Sequence, residues 1–273
     1  MPLYRKQVVK PTADLGAVGY IGINNVTNVS QQNAINDFAL GLKALGLYST
    51  SVFYPLRSGQ SIASGTTAYS VGGLGTYNAT ISTTPTWGSD GISFSGSGNL
   101  LNNSLATVIR SANSYSTILV CSNASTGTIN FGVLKGGGSN QTGDNYTAFA
   151  RQYNFLAQSQ IYLTGGDNTR NFGSLSFSAS GFQFFGSARN GLTAPSTDTG
   201  SVTLNATTNS TLSGTGSLPS TNPFGDNFYL FGQSATGNTY AFVMITTSAI
   251  SSANMQSIRS LYISTLGIGL GLP

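Results

Sequence analysis

The 273-residue chain contains no histidine and no glutamate. Without imidazole there can be no Ser-His-Asp triad, no Cys-His pair and no His-ligated metal. Glycoside hydrolysis needs two carboxylates flanking one bond. The only carboxylate side chains are 7 Asp, and none lies within three residues of another. These absences predict a protein that is not an enzyme, with no catalytic residue and no resident cofactor or metal. Charged residues make up 7% of the chain, against about 25% in an ordinary soluble domain. Ion pairs are therefore scarce, and stability must rest on burial and backbone hydrogen bonds. The net charge of +4 is scattered apart from Arg5, Lys6 and Lys10, so no nucleic-acid stripe forms. Cys121 is the single cysteine, which excludes an intrachain disulfide. No apolar run reaches membrane-spanning length. Lys10, Pro11 and Asp14 interrupt any signal-like core, so neither a targeting signal nor membrane insertion is expected.

What is present is glycine, at 35 residues, with abundant Ser, Thr and Asn. The 39% apolar and 11% aromatic content argues against disorder. Short strands joined by polar turns are the natural reading. Candidate strands are 51–55, 92–95, 115–121, 129–134, 146–153, 160–163, 174–178, 182–185, 202–206, 228–231 and 240–245. Residues 174–178 alternate polar and apolar strictly, as a half-buried strand does.

Two helices flank this β region. Ser30 is a good N-cap for residues 30–46, where Ile35, Phe38, Leu42 and Leu45 form an apolar stripe. Gly46 stands where a C′ glycine belongs. Such a helix would pack on the β-domain or join a bundle between subunits. At the other end Ser251 caps a helix over 251–266, with Ile250 and Met255 at staple spacing. Its apolar face is Met255, Ile258, Leu261 and Tyr262, and Gly267 ends it. Residues 1–29 read as an arm with a short strand at Tyr20-Ile21-Gly22-Ile23. The arm is either a frayed terminus or an anchor that orders on a partner. The organisation expected is thus arm 1–29, attachment or oligomerisation helix 30–46, and β-domain 47–273.

Several stretches carry a resemblance. They are Tyr54-Pro55-Leu56, Tyr77-Asn78, and Pro85-Thr86-Trp87 followed by Gly91-Ile92-Ser93-Phe94. Further along come Arg189-Asn190-Gly191, Phe228-Tyr229-Leu230-Phe231-Gly232 and Tyr240-Ala241-Phe242-Val243-Met244-Ile245. The Ser248-Ala249-Ile250-Ser251 lead, the helix and Leu266-Gly267 close the series. In this order, over 47–267, the chain resembles laminin-G-like, concanavalin A-like domains. With a helix on each side, it resembles the versions in bacteriophage virion proteins. The resemblance implies an all-β, concanavalin A-like jelly-roll sandwich with one N-terminal and one C-terminal helix. It also implies a place on the virion, as a head fibre, capsid decoration or tail-associated adhesin. Hydrolases of this family use acidic pairs on one strand of the concave face. No such pair exists here, which removes the catalytic branch.

Candidate sites follow. Gly-Asp-Asn occurs at 143–145, 166–168 and 225–227. Turn chemistry accounts for it; calcium is the alternative, but one Asp per loop is a poor charge count. Lys135-Gly136-Gly137-Gly138-Ser139 lacks phosphate-loop order, and Gly72-Gly73-Leu74-Gly75 lacks a strand–helix unit. Tyr146, Arg151, Tyr153 and Asn154 could line a glycan groove; the alternative is core packing. Arg5, Lys6 and Lys10 could meet an acidic partner, with Ile35, Phe38, Leu42 and Leu45 completing the attachment. Cys121 reads as a small core residue. The partners expected are copies of the chain, as a homotrimer, other virion proteins through the arm, and host surface glycans. Nucleic acid is not expected. The alternative function is a soluble carbohydrate-binding module or lectin, calcium-dependent or not. Removal of residues 1–46 is expected to leave a folded monomeric sandwich.

Overall fold

The computed structural model describes residues 14–96, 98, 100–112, 114–122, 129–135, 146–155, 158–164, 171–177, 181–190, 198–214, 227–232 and 238–273. Helix α1 (Leu15–Ile23) leads into α2 (Val29–Ala44). The early strands are β1 (Ser51–Pro55), β2 (Thr67–Ala68), β3 (Ala79–Ile81), β4 (Thr86–Gly88), β5 (Gly91–Ser93) and β6 (Leu100–Leu101). Helix α3 (Asn103–Ser111) precedes β7 (Ser114–Ser122), β8 (Ile129–Lys135), β9 (Tyr146–Phe155) and β10 (Gln158–Thr164). Then come β11 (Asn171–Phe177), β12 (Phe182–Asn190), β13 (Asp198–Leu204), β14 (Thr207–Gly214), β15 (Asn227–Gly232) and β16 (Thr239–Thr246). Helix α4 (Ser252–Ser264) is the last element.

The strands form two antiparallel sheets. Sheet 1 runs β14-β13-β12-β7-β16-β5-β4, and sheet 2 runs β11-β10-β9-β8-β15-β6-β3-β2. Strand β16 has β7 along one side. Its other side is shared end to end by β1 and β5. That junction is tight. Gly91 has φ +143°, and a Cβ there would sit 2.2 Å from the Tyr240 carbonyl oxygen; only glycine fits.

The central strands of sheet 1, β1, β7, β12 and β16, are buried on both faces among the described residues. One face meets sheet 2 through Val52, Tyr54, Tyr115, Leu119, Cys121, Phe185, Val243 and Ile245. The other carries Phe53, Ile118, Val120, Phe184, Phe242 and Met244 against helices α1, α2 and α4. The chain is thus a β-sandwich with a helical layer on one side. Burial on both faces explains the unbroken apolar stretches 118–121 in β7 and 240–245 in β16. A register shift between Tyr240 and Phe242 in β16 marks a bulge. It lets Ala241 and Phe242 both join the helix side while Val243 and Ile245 stay inside the sandwich.

Phe38 of α2 shows how the helical layer is fastened. Its ring lies 4.9 Å from Phe53, 5.3 Å from Phe242 and 6.3 Å from Tyr262, edge to face in each case. One side chain thus joins α2, β1, β16 and α4. At the end of α2, Gly46 adopts φ +70°. The Gly46 N–H donates to the Lys43 carbonyl, and the Leu47 N–H donates to the Leu42 carbonyl. This is the Schellman arrangement.

Three readings need correction. Tyr20-Ile21-Gly22-Ile23 is helical, not a strand. The Asp14 side chain accepts the Ala17 N–H and starts α1, while Ala17 and Tyr20 are buried in the helical layer. That burial overrides the poor helix propensity of Gly16, Gly19 and Gly22. The cap of α2 is Asn28, whose Oδ1 accepts from the Ser30 and Gln31 N–H groups; Ser30 is already inside the helix. Finally, residues 14–29 are not a projecting arm, since Ala17, Tyr20 and Val26 belong to the chain's own core. Helix α3 was not anticipated, although Asn102 caps it and Leu105 and Ile109 are fully buried.

Candidate functional site

The residues singled out from sequence are dispersed by the fold. Arg5, Lys6 and Lys10 lie outside the described residues, as do the loops carrying Asp144, Asp167 and Asp226. Ile35, Phe38 and Leu42 are fully buried against the chain's own sheet 1, and Leu45 packs beside them. A side chain spent inside its own molecule cannot also be a docking surface, so this stripe is core. Cys121 is fully buried. Burial pushes its thiol far up, so it stays a neutral, unreactive core group.

Acidic chemistry is equally dispersed. Among the described residues, no three His, Cys, Asp or Glu side chains gather closely enough to hold a metal. Asp14 is committed to structure. Its Oδ1 accepts from the Ala17 N–H and the Tyr48 hydroxyl, and its Oδ2 pairs with Lys43. Burial pushes its carboxyl up. The hydrogen bonds from Lys43, Tyr48 and the Ala17 N–H, with the Lys43 charge, outweigh that and hold it below the ordinary value of 3.8. The same contact pushes the Tyr48 hydroxyl up, on top of its burial. Asp90 sits in the turn between β4 and β5, where the Ser89 hydroxyl donates to it.

A ligand surface built on a sheet face falls to sheet 2, because both faces of the central strands of sheet 1 are covered. Cross-strand register sorts the positions of sheet 2 into two sets. In β9, Arg151 stands opposite Asn130 of β8 and Tyr162 of β10. Two positions along, Tyr153 stands opposite Gln160. Ser174 and Ser176 of β11 continue the rows from Tyr162 and Gln160. Positions between these form the other set: Ile129 with Gln152 and Ile161, Phe131 with Ala150, and Val133 with Ala148. Leu175 continues the Ile161 row. The register thus puts Arg151, Tyr153, Asn130, Gln160 and Tyr162 on one face of sheet 2, with Leu134, Phe149 and Phe155 in the same set.

The four positions proposed from sequence therefore divide. Arg151 and Tyr153 share the polar, aromatic set with Asn130, Gln160 and Tyr162. Tyr146 and Asn154 fall an odd number of steps away, in the other register set. Tyr162, Gln160 and Asn130 went unrecognised because only strand pairing brings them beside Arg151. Arginine, tyrosine and amide residue types are those that donate hydrogen bonds to a sugar and stack on its ring.

No protein family matches the chain, and no curated protein matches it in sequence. Its fold is similar to that of Trypanosoma rangeli sialidase. In the complex with 2,3-difluorosialic acid the TM-score is 0.58 at 12% identity, covering 87% of this chain and 39% of that one. In the complex with 2,3-difluoro-KDN it is 0.55 at 13% identity, covering 80% and 33%. Ruminococcus gnavus IT-sialidase CBM40, bound to α2,3-sialyllactose, gives 0.45 at 11% identity, covering 62% and 96%. This chain spans about a third of the sialidase chain in the 2,3-difluoro-KDN complex. At such identities the likeness to the sialidase is one of fold, and the fold is a β-sandwich.

Proposed function

We propose that this chain is a non-enzymatic, glycan-binding β-sandwich of the concanavalin A-like jelly-roll type, displayed on a phage particle. The single observation that carries the glycan half is the polar and aromatic set centred on Arg151 and Tyr153. It lies on the one sheet whose second face is not taken up by the layer of α1, α2 and α4. The want of histidine, glutamate and close Asp pairs supports a binding role over a catalytic one. The segment carrying Arg5, Lys6 and Lys10 attaches the chain to the particle, and the sandwich faces outward as a homotrimer. Repetition then turns weak glycan contacts into useful avidity.

The test is binding of the purified chain to an array of host-surface oligosaccharides. Arg151→Ala and Tyr153→Ala should each lower binding at least tenfold, with no change on adding a calcium chelator. Loss on chelation would favour a calcium-dependent lectin. New reducing ends in the incubated oligosaccharides would end the non-enzymatic reading.

A further inference from the structure

Both ends of the described chain converge on one short loop, residues 57–62. The Arg57 guanidinium donates to the Leu266 and Ile268 carbonyls at 2.8 and 2.9 Å, and to the Ser89 carbonyl at 2.6 Å. The Gln60 amide donates to the Leu266 carbonyl at 2.8 Å and to Gln31 of α2 at 2.9 Å. The opposite side of the loop holds α1. The Tyr20 hydroxyl donates to the Gln60 carbonyl at 2.7 Å, and the Ile62 N–H donates to Asn24 Oδ1 at 3.0 Å. Gln60, Tyr20, Asn24 and Leu266 are all buried. Water cannot replace a lost bond there without the segments separating.

Helix α1 is fastened at its start by a separate set of contacts. The Asp14 N–H donates to Asn36 Oδ1 at 2.8 Å, and the Asp14 carboxylate meets Lys43 and Tyr48. Among the described residues, none of these bonds reaches the tail beyond Tyr262. Conversely, Arg57 bonds to no residue of α1. Beyond the apolar layer that both segments share, the hydrogen bonds that join them run through the loop.

We propose that α1, the 57–62 loop and the tail from 266 to 271 are one clasp that opens as a single cooperative unit, below the stability of the sandwich. Opening uncovers the apolar helical layer beneath Ala17 and Tyr20 while β7 and β16 stay intact. Proteins open in such contiguous units, and the coupling must be reciprocal.

Hydrogen exchange on the full chain at neutral pH tests this. Reporters for α1 are the Val18 and Asn24 N–H groups, bonded to the Asp14 and Tyr20 carbonyls. Reporters for the tail are the Gly267 and Leu270 N–H groups, bonded to the Tyr262 and Gly267 carbonyls. Arg57→Ala should speed exchange at least tenfold in the tail and by the same factor in α1, leaving 115–121 unchanged. Asp14→Ala, cutting from the other side, should speed both segments equally. Faster exchange in α1 with an unchanged tail in Asp14→Ala would overturn the proposal. Should Arg57→Ala also accelerate 115–121, the whole fold has been weakened, and Asp14→Ala alone decides.

Discussion

Sheet 1 and sheet 2 contribute comparable numbers of strands to one sandwich, yet they are read differently by their surroundings. Strands β7 and β16 of sheet 1 are buried at nearly every position because a layer of helices covers the face that sheet 2 does not. Strands β9 and β10 of sheet 2 mix polar and apolar residues along their length. The difference shows which sheet face the helices close, and under the proposed function it divides order from recognition. A face that must pack against helices is closed to ligands, so binding is left to the other sheet.

The strongest way to break this comparison is to strip the helical layer. Deleting residues 1–46 removes Ala17, Tyr20, Ile35, Phe38 and Leu42 and strips from Phe53, Phe242 and Met244 all the cover that α4 does not supply. From the sequence alone a folded monomer was expected. The structure reverses that expectation, because sheet 1 cannot be the outer wall of a two-layer sandwich. The truncated chain should aggregate or show no cooperative melt, as circular dichroism and size exclusion will report. A soluble variant with an intact thermal transition would mean that the helices are an accessory. A milder cut is Phe38→Ala, which leaves a cavity among Phe53, Phe242 and Tyr262. It should cost about 3–5 kcal/mol in urea unfolding.

Sheet 1 was legible in sequence for the reason that makes it rigid. The runs at 115–121 and 240–245 are apolar enough to be strands without any knowledge of their neighbours. Strand β14, Thr-Thr-Asn-Ser-Thr-Leu-Ser-Gly, was invisible because its pairing with β13 is a matter of backbone register rather than apolar pattern. The stripe Ile35, Phe38, Leu42 was legible as an apolar face, but a stripe does not say whether it packs inside its own molecule or against another. Helix α1 was missed because three glycines mask a segment that only tertiary burial makes helical. In the candidate site, Arg151 and Tyr153 stood out as residue types. The rows that add Tyr162, Gln160 and Asn130, and that separate Tyr146 and Asn154, exist only once strands pair.

Smaller effects sharpen the contrast within the helical layer. Asp14 has a folded-state value below that of an ordinary carboxylate. Its stabilisation is therefore full above about pH 3.8 and is lost as pH falls through the lowered value. Lys43 is half-exposed, so solvent screens the pair and the contribution is about 0.5–1 kcal/mol. Asp14→Asn should lower the unfolding free energy measured in urea at pH 7 by that amount and flatten the acid limb below pH 3.8. An unchanged acid limb would show that other carboxylates govern it.

The smallest expected change tests sheet 2. If Arg151 lies on an open face of sheet 2, Arg151→Ala removes no buried partner, and its effect on unfolding should stay within about 0.5 kcal/mol. Glycan binding should fall at the same time, because the guanidinium is the only cation in the rows formed with Asn130, Tyr162, Tyr153 and Gln160. Stability and binding would then separate, as they must when one sheet carries the core and the other the recognition surface. A loss of several kcal/mol would instead put Arg151 on the core face, where an uncompensated cation is costly to bury, and the division between the two sheets would fail.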